Sequence, residues 1–384
     1  MFGEKRELII PTAPLPLLRH LLTAINMKDN RLGRTWCNTN KKIYFFSRCA
    51  WGIAEAIEAI LKTRKRSEGI VFLPDYFCNE ALIPLRRKSL QIVFYPITEE
   101  LSPNWWMMER LVLKYGTPDI FILVHYFGFP NKIFEALEFC RTVGAELIED
   151  CAHVLMPFGE VGKYSLVTAF SPYKLLPVPK IGLLVVPEDL SIKQVLCRQW
   201  FEVDTFRWIG KRLLQSFLTK CKIPWGRKVL PFDSDPEIEV KEDHRVSPLT
   251  LRLLGSVEPE MEKVKEIRRN NYNRLTQEID HLEWELIRPL YRFLPEEVCP
   301  YVLPLRVRKD IITRVYQILN RSGIPAQTWP DLPPEIKENS SRHSVALRLR
   351  KEIITIPVHQ SLTDKQISYI ATYLQKSVLE VVRN

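Results

Sequence analysis

Ile148-Glu149-Asp150-Cys151-Ala152-His153 ends an apolar run in a carboxylate and sets a histidine three residues beyond Asp150. Downstream, Phe170-Ser171-Pro172-Tyr173-Lys174 adds a hydroxyl and an amine. These are the parts needed to hold pyridoxal 5'-phosphate (PLP). A carboxylate beside the pyridine nitrogen keeps it protonated, so that the ring acts as an electron sink, and a lysine amine forms a Schiff base with the aldehyde. Each residue also has a plainer use. Asp150 could cap the turn after a strand, although a carboxylate at the carboxyl end of a parallel strand points into the crevice where ligands bind. His153 could be a satisfied core histidine. Lys174 could be a solvated lysine, and Lys180, at the start of the next strand, competes with it for the Schiff-base role.

The elements that must position these groups follow from periodicity. β-rich runs at Gly69 to Leu73, Gln91 to Tyr95, Asp119 to His125, Ala145 to Glu149, Leu166 to Phe170 and Gly182 to Val186 alternate with helical patterns. Those helices cover Ala50 to Lys62, Glu80 to Arg87, Trp106 to Tyr115 and Lys132 to Val143. The alternation predicts an α/β fold with a mainly parallel sheet covered on both faces. From residue 246 the order changes: a charged helix over Glu258 to Leu275, a strand at Val302 to Val307, a helix at Ile311 to Ser322, an irregular loop at Pro330 to Pro334, a strand at Ile353 to Ile356 and a helix from Thr363. The expected division is a large α/β domain over 1–245 and a smaller α+β domain over 246–384.

Composition narrows the partners. At 384 residues, 46% hydrophobic and 26% charged, the chain can bury two cores. It has no apolar run of membrane-spanning length and no signal-peptide pattern at Met1-Phe2-Gly3-Glu4-Lys5-Arg6, so the expected location is the cytosol. The cysteines at 37, 49, 78, 140, 151, 197, 221 and 299 form no Cys-x-x-Cys pair, and neither a disulfide nor a structural metal is expected. A net charge of +10 suits an anionic ligand. The basic residues are dispersed, without a zinc-finger or RNA-recognition pattern, which argues against nucleic acid.

Several motifs fall in one order: Ser47-Arg48-Cys49-Ala50, Leu73-Pro74-Asp75-Tyr76-Phe77-Cys78, Val124-His125-Tyr126-Phe127-Gly128, the Asp150 and Lys174 segments, Arg268-Arg269-Asn270-Asn271-Tyr272, and Ile356-Pro357-Val358-His359-Gln360-Ser361-Leu362-Thr363. In this order they resemble the DegT/DnrJ/StrS sugar aminotransferases, fold-type-I PLP enzymes, over most of the chain except roughly 188 to 245. The resemblance implies amino transfer from glutamate to a keto-sugar, commonly nucleotide-linked, in a homodimer with shared sites. It assigns Lys174 to the Schiff base, Asp150 to the pyridine nitrogen, and His153 to the cofactor's phenolic oxygen. Ser171 and the helix opening at Arg48, Cys49 and Ala50 would hold the phosphate, and Tyr76 or Phe77 would stack on the ring, although register sets Cys78 at the family's aromatic position. Other PLP chemistry on a sugar or cyclitol, and a non-catalytic role, stay open.

The departures concern the phosphate and the acceptor. Ser47-Arg48-Cys49 stands where the family usually has Ser-Gly-Thr, and Arg48 could compensate by a charged contact or point outward. Pro177-Val178-Pro179-Lys180-Ile181-Gly182 replaces a Gly-rich turn with a stiffer connection. Asp243-His244-Arg245-Val246 replaces a pattern whose asparagine reaches the partner subunit, and Arg245 is the substitute suggested by guanidinium chemistry. Within the unmatched stretch, residues 206–218 gather Phe206, Ile209, Leu213, Phe217 and Leu218 near one helical face with a basic edge. Such a helix could rest on an anionic membrane surface, or pack on its own domain or a partner.

Overall fold

In the computed structural model the described residues are 8–27, 32–37, 40–194, 202–221, 223, 229–232, 234 and 245–383. Asp243 and His244 lie outside them. A seven-stranded sheet runs in the order β1-β7-β6-β5-β4-β2-β3. Its strands are β1 (Lys41–Phe46), β2 (Gly69–Pro74), β3 (Leu90–Tyr95), β4 (Ile120–Val124), β5 (Glu146–Cys151), β6 (Val167–Phe170) and β7 (Gly182–Pro187). From β3 to β6 neighbouring strands are parallel, while β7 and β1 add an antiparallel edge. The central strands are buried on both faces, which is why Ile120–Val124 reads as continuous apolar sequence without alternation.

The first helices are α1 (Leu18–Asn26), α2 (Cys49–Thr63), α3 (Asn79–Arg86), α4 (Trp105–Tyr115) and α5 (Ile133–Val143). α2 lies against the sheet with Ile53, Ala56, Ile57 and Ile60 buried at helical spacing. Gly182 permits its close approach: a Cβ there would stand 2.1 Å from the Cys49 nitrogen. α6 (Val203–Lys220) follows, then α7 (Pro248–Val257) and α8 (Met261–Ile279). Ser247 caps α7, its hydroxyl accepting from the Thr250 N–H at 3.2 Å.

A second sheet, wholly antiparallel, has the order β10-β11-β9-β8. Its strands are β8 (Ile287–Pro289), β9 (Leu303–Val307), β10 (Gln327–Thr328) and β11 (Ile353–Ile356), accompanied by α9 (Ile312–Arg321), α10 (Pro334–Glu338), α11 (Ser344–Glu352) and α12 (Asp364–Arg383). Thus Pro334 opens a short helix, where its fixed φ and missing N–H suit the first position, and the expected loop stops before it. Arg268 of α8 joins the layers. It is 1% exposed and donates to the carbonyls of Leu175 (2.9 Å), Pro300 (3.2 Å) and Tyr301 (2.9 Å) and to Gln360 Oε1 (3.0 Å).

Along α6 only Thr205 is buried, while Phe206, Leu213 and Phe217 are exposed. No helix among the described residues is long and apolar enough to cross a membrane.

Candidate active site

The carboxyl ends of β2, β4, β5 and β6 and the opening of α2 meet at a cavity of about 230 Å³. This is the crevice where open α/β sheets place ligands. Arg48, Cys49, Ala50, Phe77, Asp150, His153, Ser171 and Lys174 all line it. Two other residues singled out from sequence do not. Tyr76 is fully buried behind the wall, its ring 4.5 Å from that of Trp329, and does not line the cavity, whereas Phe77 and Cys78 do. Lys180 is exposed and faces a different cavity.

Asp150, Lys174 and His153 each retain hydrogen-bonding capacity in this cavity. Asp150, 7% exposed, accepts the Ala152 N–H on Oδ1 at 2.9 Å, and its Oδ2 accepts nothing among the described residues. Burial lifts its carboxyl above the ordinary range, while the nearby Lys174 ammonium pulls it back down. Lys174 Nζ makes no hydrogen bond among the described residues. Burial works against its charge, but Tyr173, Tyr301, Cys49 and Asp150 around it outweigh that effect and raise its pKa. His153 accepts the Phe127 N–H on Nδ1 at 3.1 Å, which leaves Nε2 as the protonated, donating nitrogen. Burial, then the Lys174 charge, keeps this imidazole neutral by holding its pKa well below the usual value.

The His153 ring is clamped by stacking on Tyr301 at 4.6 Å and on Phe127 at 5.9 Å. Phe127 has a left-handed backbone, φ 56°, and the following Gly128, φ 93°, brings the chain so close that a Cβ would meet the Cys299 carbonyl oxygen at 2.5 Å. The Val124 to Gly128 motif therefore builds the floor beneath His153.

At the opening of α2, Cys49 and Ala50 line the cavity at the positive end of the helix dipole, and their N–H groups have no intrahelical acceptor among the described residues. Arg48 pairs with Glu80 of α3, so its charge is shared with an acid that also lines the cavity. Ser171 is buried within hydrogen-bonding reach of the Cys49 thiol. Burial pushes that thiol up to about 12, which removes it as a nucleophile at neutral pH. The donor set fits PLP: helix N–H groups and Ser171 for a phosphate, Lys174 for an aldehyde, Asp150 Oδ2 for a ring N–H, and His153 Nε2–H for a phenolic oxygen.

His125, Glu149 and Cys151 converge beneath the cavity, with ligand atoms within 4.8 Å of one another. The pair is already engaged: His125 Nε2 bonds Glu149 Oε2 at 2.9 Å, His125 Nδ1 accepts the Asn131 N–H, and Glu149 accepts the Gly162 N–H. Tyr301, Gln327, Thr328, Trp329 and Thr355, around the small sheet, form the opposite wall and were not singled out from sequence. Trp329 Nε1 is buried without an acceptor among the described residues.

The chain matches no protein-family model and no curated protein sequence. Its fold is shared with solved structures. A putative sugar aminotransferase of Streptococcus pneumoniae, Spr1654 in its PMP form, superposes with a TM-score of 0.69 at 13% identity, covering 98% of this chain and 99% of that one. Helicobacter pylori PseC, an aminotransferase involved in the biosynthesis of pseudoaminic acid, gives 0.69 at 15% identity, covering 96% and 98%. The GDP-4-keto-6-deoxy-D-mannose-3-dehydratase of E. coli, with bound hydrated PLP, gives 0.68 at 16% identity, covering 96% and 100%. The resemblance inferred from ordered motifs thus extends to the fold along nearly the whole chain.

Proposed function

We propose that this fold carries a PLP-dependent aminotransferase, cytoplasmic and homodimeric, moving an amino group from glutamate to a nucleotide-linked keto-sugar, with 1–245 as the cofactor domain and 246–384 as the small domain. One observation carries the reading: Asp150 Oδ2, Lys174 Nζ and His153 Nε2 line one cavity with their bonding capacity unspent. PLP, when bound, supplies an electron sink conjugated to the carbon that exchanges its amino group. Asp150 keeps a proton on the ring nitrogen, because its buried carboxylate has no stronger partner there. His153 Nε2–H fixes the ring's orientation by donating to the phenolic oxygen. Lys174 would provide the attachment amine and would hold or move a proton at Nζ. The neighbouring groups do not compete for that task, since His153 Nδ1 is spent and Cys49 stays protonated. Phe127, Phe77 and Trp329 supply apolar and aromatic walls that exclude water.

The test is a PLP titration followed by absorbance, borohydride reduction and peptide mapping. The pyridoxyl group is expected on Lys174; finding it on Lys180 would move the attachment point. Absence of any PLP absorbance would indicate a non-catalytic protein. Bleaching of the bound cofactor's band by glutamate supports amino transfer, whereas a loaded protein inert to all amino donors would favour dehydration or other PLP chemistry.

A further inference from the structure

A helix on the surface of a globular protein turns its apolar stripe to the core and its polar side to water. α6 does the reverse. Its polar side faces the protein: Thr205 is buried, its hydroxyl 3.0 Å from that of Ser247 and 3.1 Å from that of Thr250 at the start of α7, and Arg212, Ser216 and Thr219 line cavities against the rest of the chain. Its apolar side faces outward. Val203, Leu213, Leu214 and Phe217 are exposed, Val203 by 62% and Phe217 by 60%. At helical spacing they fall, with Gly210, in one stripe about 100° wide. Ile223, just past the helix, is exposed as well. Cations border the stripe on both sides, Arg207 and Lys211 along one edge and Lys220 along the other, all three exposed. The single acid in the sequence of α6, Asp204, lies 3.7 Å from Arg207. An apolar stripe between rows of Lys and Arg matches a layer of acyl chains topped by acidic headgroups, where the apolar side chains enter the layer and the cations stay among the phosphates. A second copy of the chain fits this face less well. In a twofold contact through the stripe, parallel or antiparallel, each basic edge meets a basic edge.

We propose that α6 docks this protein on the surface of an anionic phospholipid bilayer, lying in the interface plane with Leu213 and Phe217 among the acyl chains and Arg207, Lys211 and Lys220 on the headgroups. The attachment is peripheral and reversible, since a single amphipathic helix lies in the interface and does not span it. The net charge of +10 draws the chain toward such a surface before the helix inserts. This docking goes beyond the reading of the cofactor cavity and does not depend on it, because α6 supplies none of the residues that line that cavity.

Flotation of the full chain with vesicles of phosphatidylcholine, alone or mixed with phosphatidylglycerol, tests the proposal. The protein should float with the mixed vesicles and not with the neutral ones, and rising salt should release it. Leu213→Ser combined with Phe217→Ser should weaken binding to the mixed vesicles by about tenfold or more. Lys211→Gln combined with Lys220→Gln should weaken it by about tenfold or more. Thermal unfolding should stay unchanged in both double variants, because all four side chains are exposed. Failure to bind either vesicle, equal binding to both, or unchanged binding in either double variant overturns the proposal. Sedimentation without lipid examines the other occupant: a parent dimer that becomes monomeric in the serine variant makes the stripe a contact between copies and overturns membrane docking. If the serine variant does not fold, the glutamine variant decides.

Discussion

Asp150 and His359 illustrate two uses of a buried ionisable side chain. Asp150→Asn keeps the shape at the end of β5 but removes the charge proposed to hold a proton on the cofactor's ring nitrogen. Turnover should fall by several orders of magnitude while cofactor absorbance survives in part, as stopped-flow half-reactions would show; near-normal turnover would make Asp150 a structural cap. His359 bears on stability. Burial, then Arg268 and Arg212, holds its pKa down at about 3 against an unperturbed 6.5, despite the favourable bond to Pro11. A base whose folded pKa is depressed stabilises fully above about pH 6.5, and that contribution drains away toward pH 3 because the unfolded chain takes up the proton first. His153 acts in the same direction. Urea midpoints should fall between about pH 7 and pH 4, and His359→Gln, which preserves a donor for Pro11, should flatten that decline. At this scale the sequence was readable in grouping Asp150, His153, Ser171 and Lys174, which line one cavity. It was not readable where two adjacent rings compete: Tyr76 turns onto Trp329, more than half the chain away, and Phe77 faces the cavity.

At the level of elements, the junction of α2 with β7 sets the position of the helix opening at the cavity. Gly182→Ala would push a methyl into the Cys49 backbone, which has no rotamer with which to yield. The variant should lose about 2 kcal/mol or more in equilibrium denaturation, and PLP affinity should fall with it because the helix opening is displaced; unchanged stability would mean that β7 shifts freely. Strands with long buried apolar runs were placed within a residue or two, and Ile353–Ile356 coincides with its expected span. β1 escaped notice because Lys41–Phe46 sits at a sheet edge with most positions only half-buried, leaving weak alternation. α11 escaped because only Ala346, Leu349 and Arg350 of a charged segment face inward. The two-residue β10 is too short for any periodicity, yet it supplies Gln327 and Thr328 to the site.

For the whole molecule, the net charge of +10 predicts an acceptor captured partly by long-range attraction. Its apparent KM should rise with ionic strength as the Debye length drops below about 10 Å, while the glutamate half-reaction changes less; a neutral keto-sugar used equally well, without salt dependence, would sink the anionic acceptor. The proposed homodimer is checked by sedimentation at micromolar concentration, where α1, with Leu18 and Ile25 at least 60% exposed, offers apolar surface to a partner; a monomer with full turnover would refute shared sites. Much of the opposite wall was illegible in sequence because it arrives from the second sheet by tertiary packing alone. Arg268 makes that distant wall matter. One planar cation grips Leu175, next to Lys174, together with Tyr301 and Gln360. A displacement of the wall around Tyr301 would therefore pull on Leu175, the residue that follows Lys174.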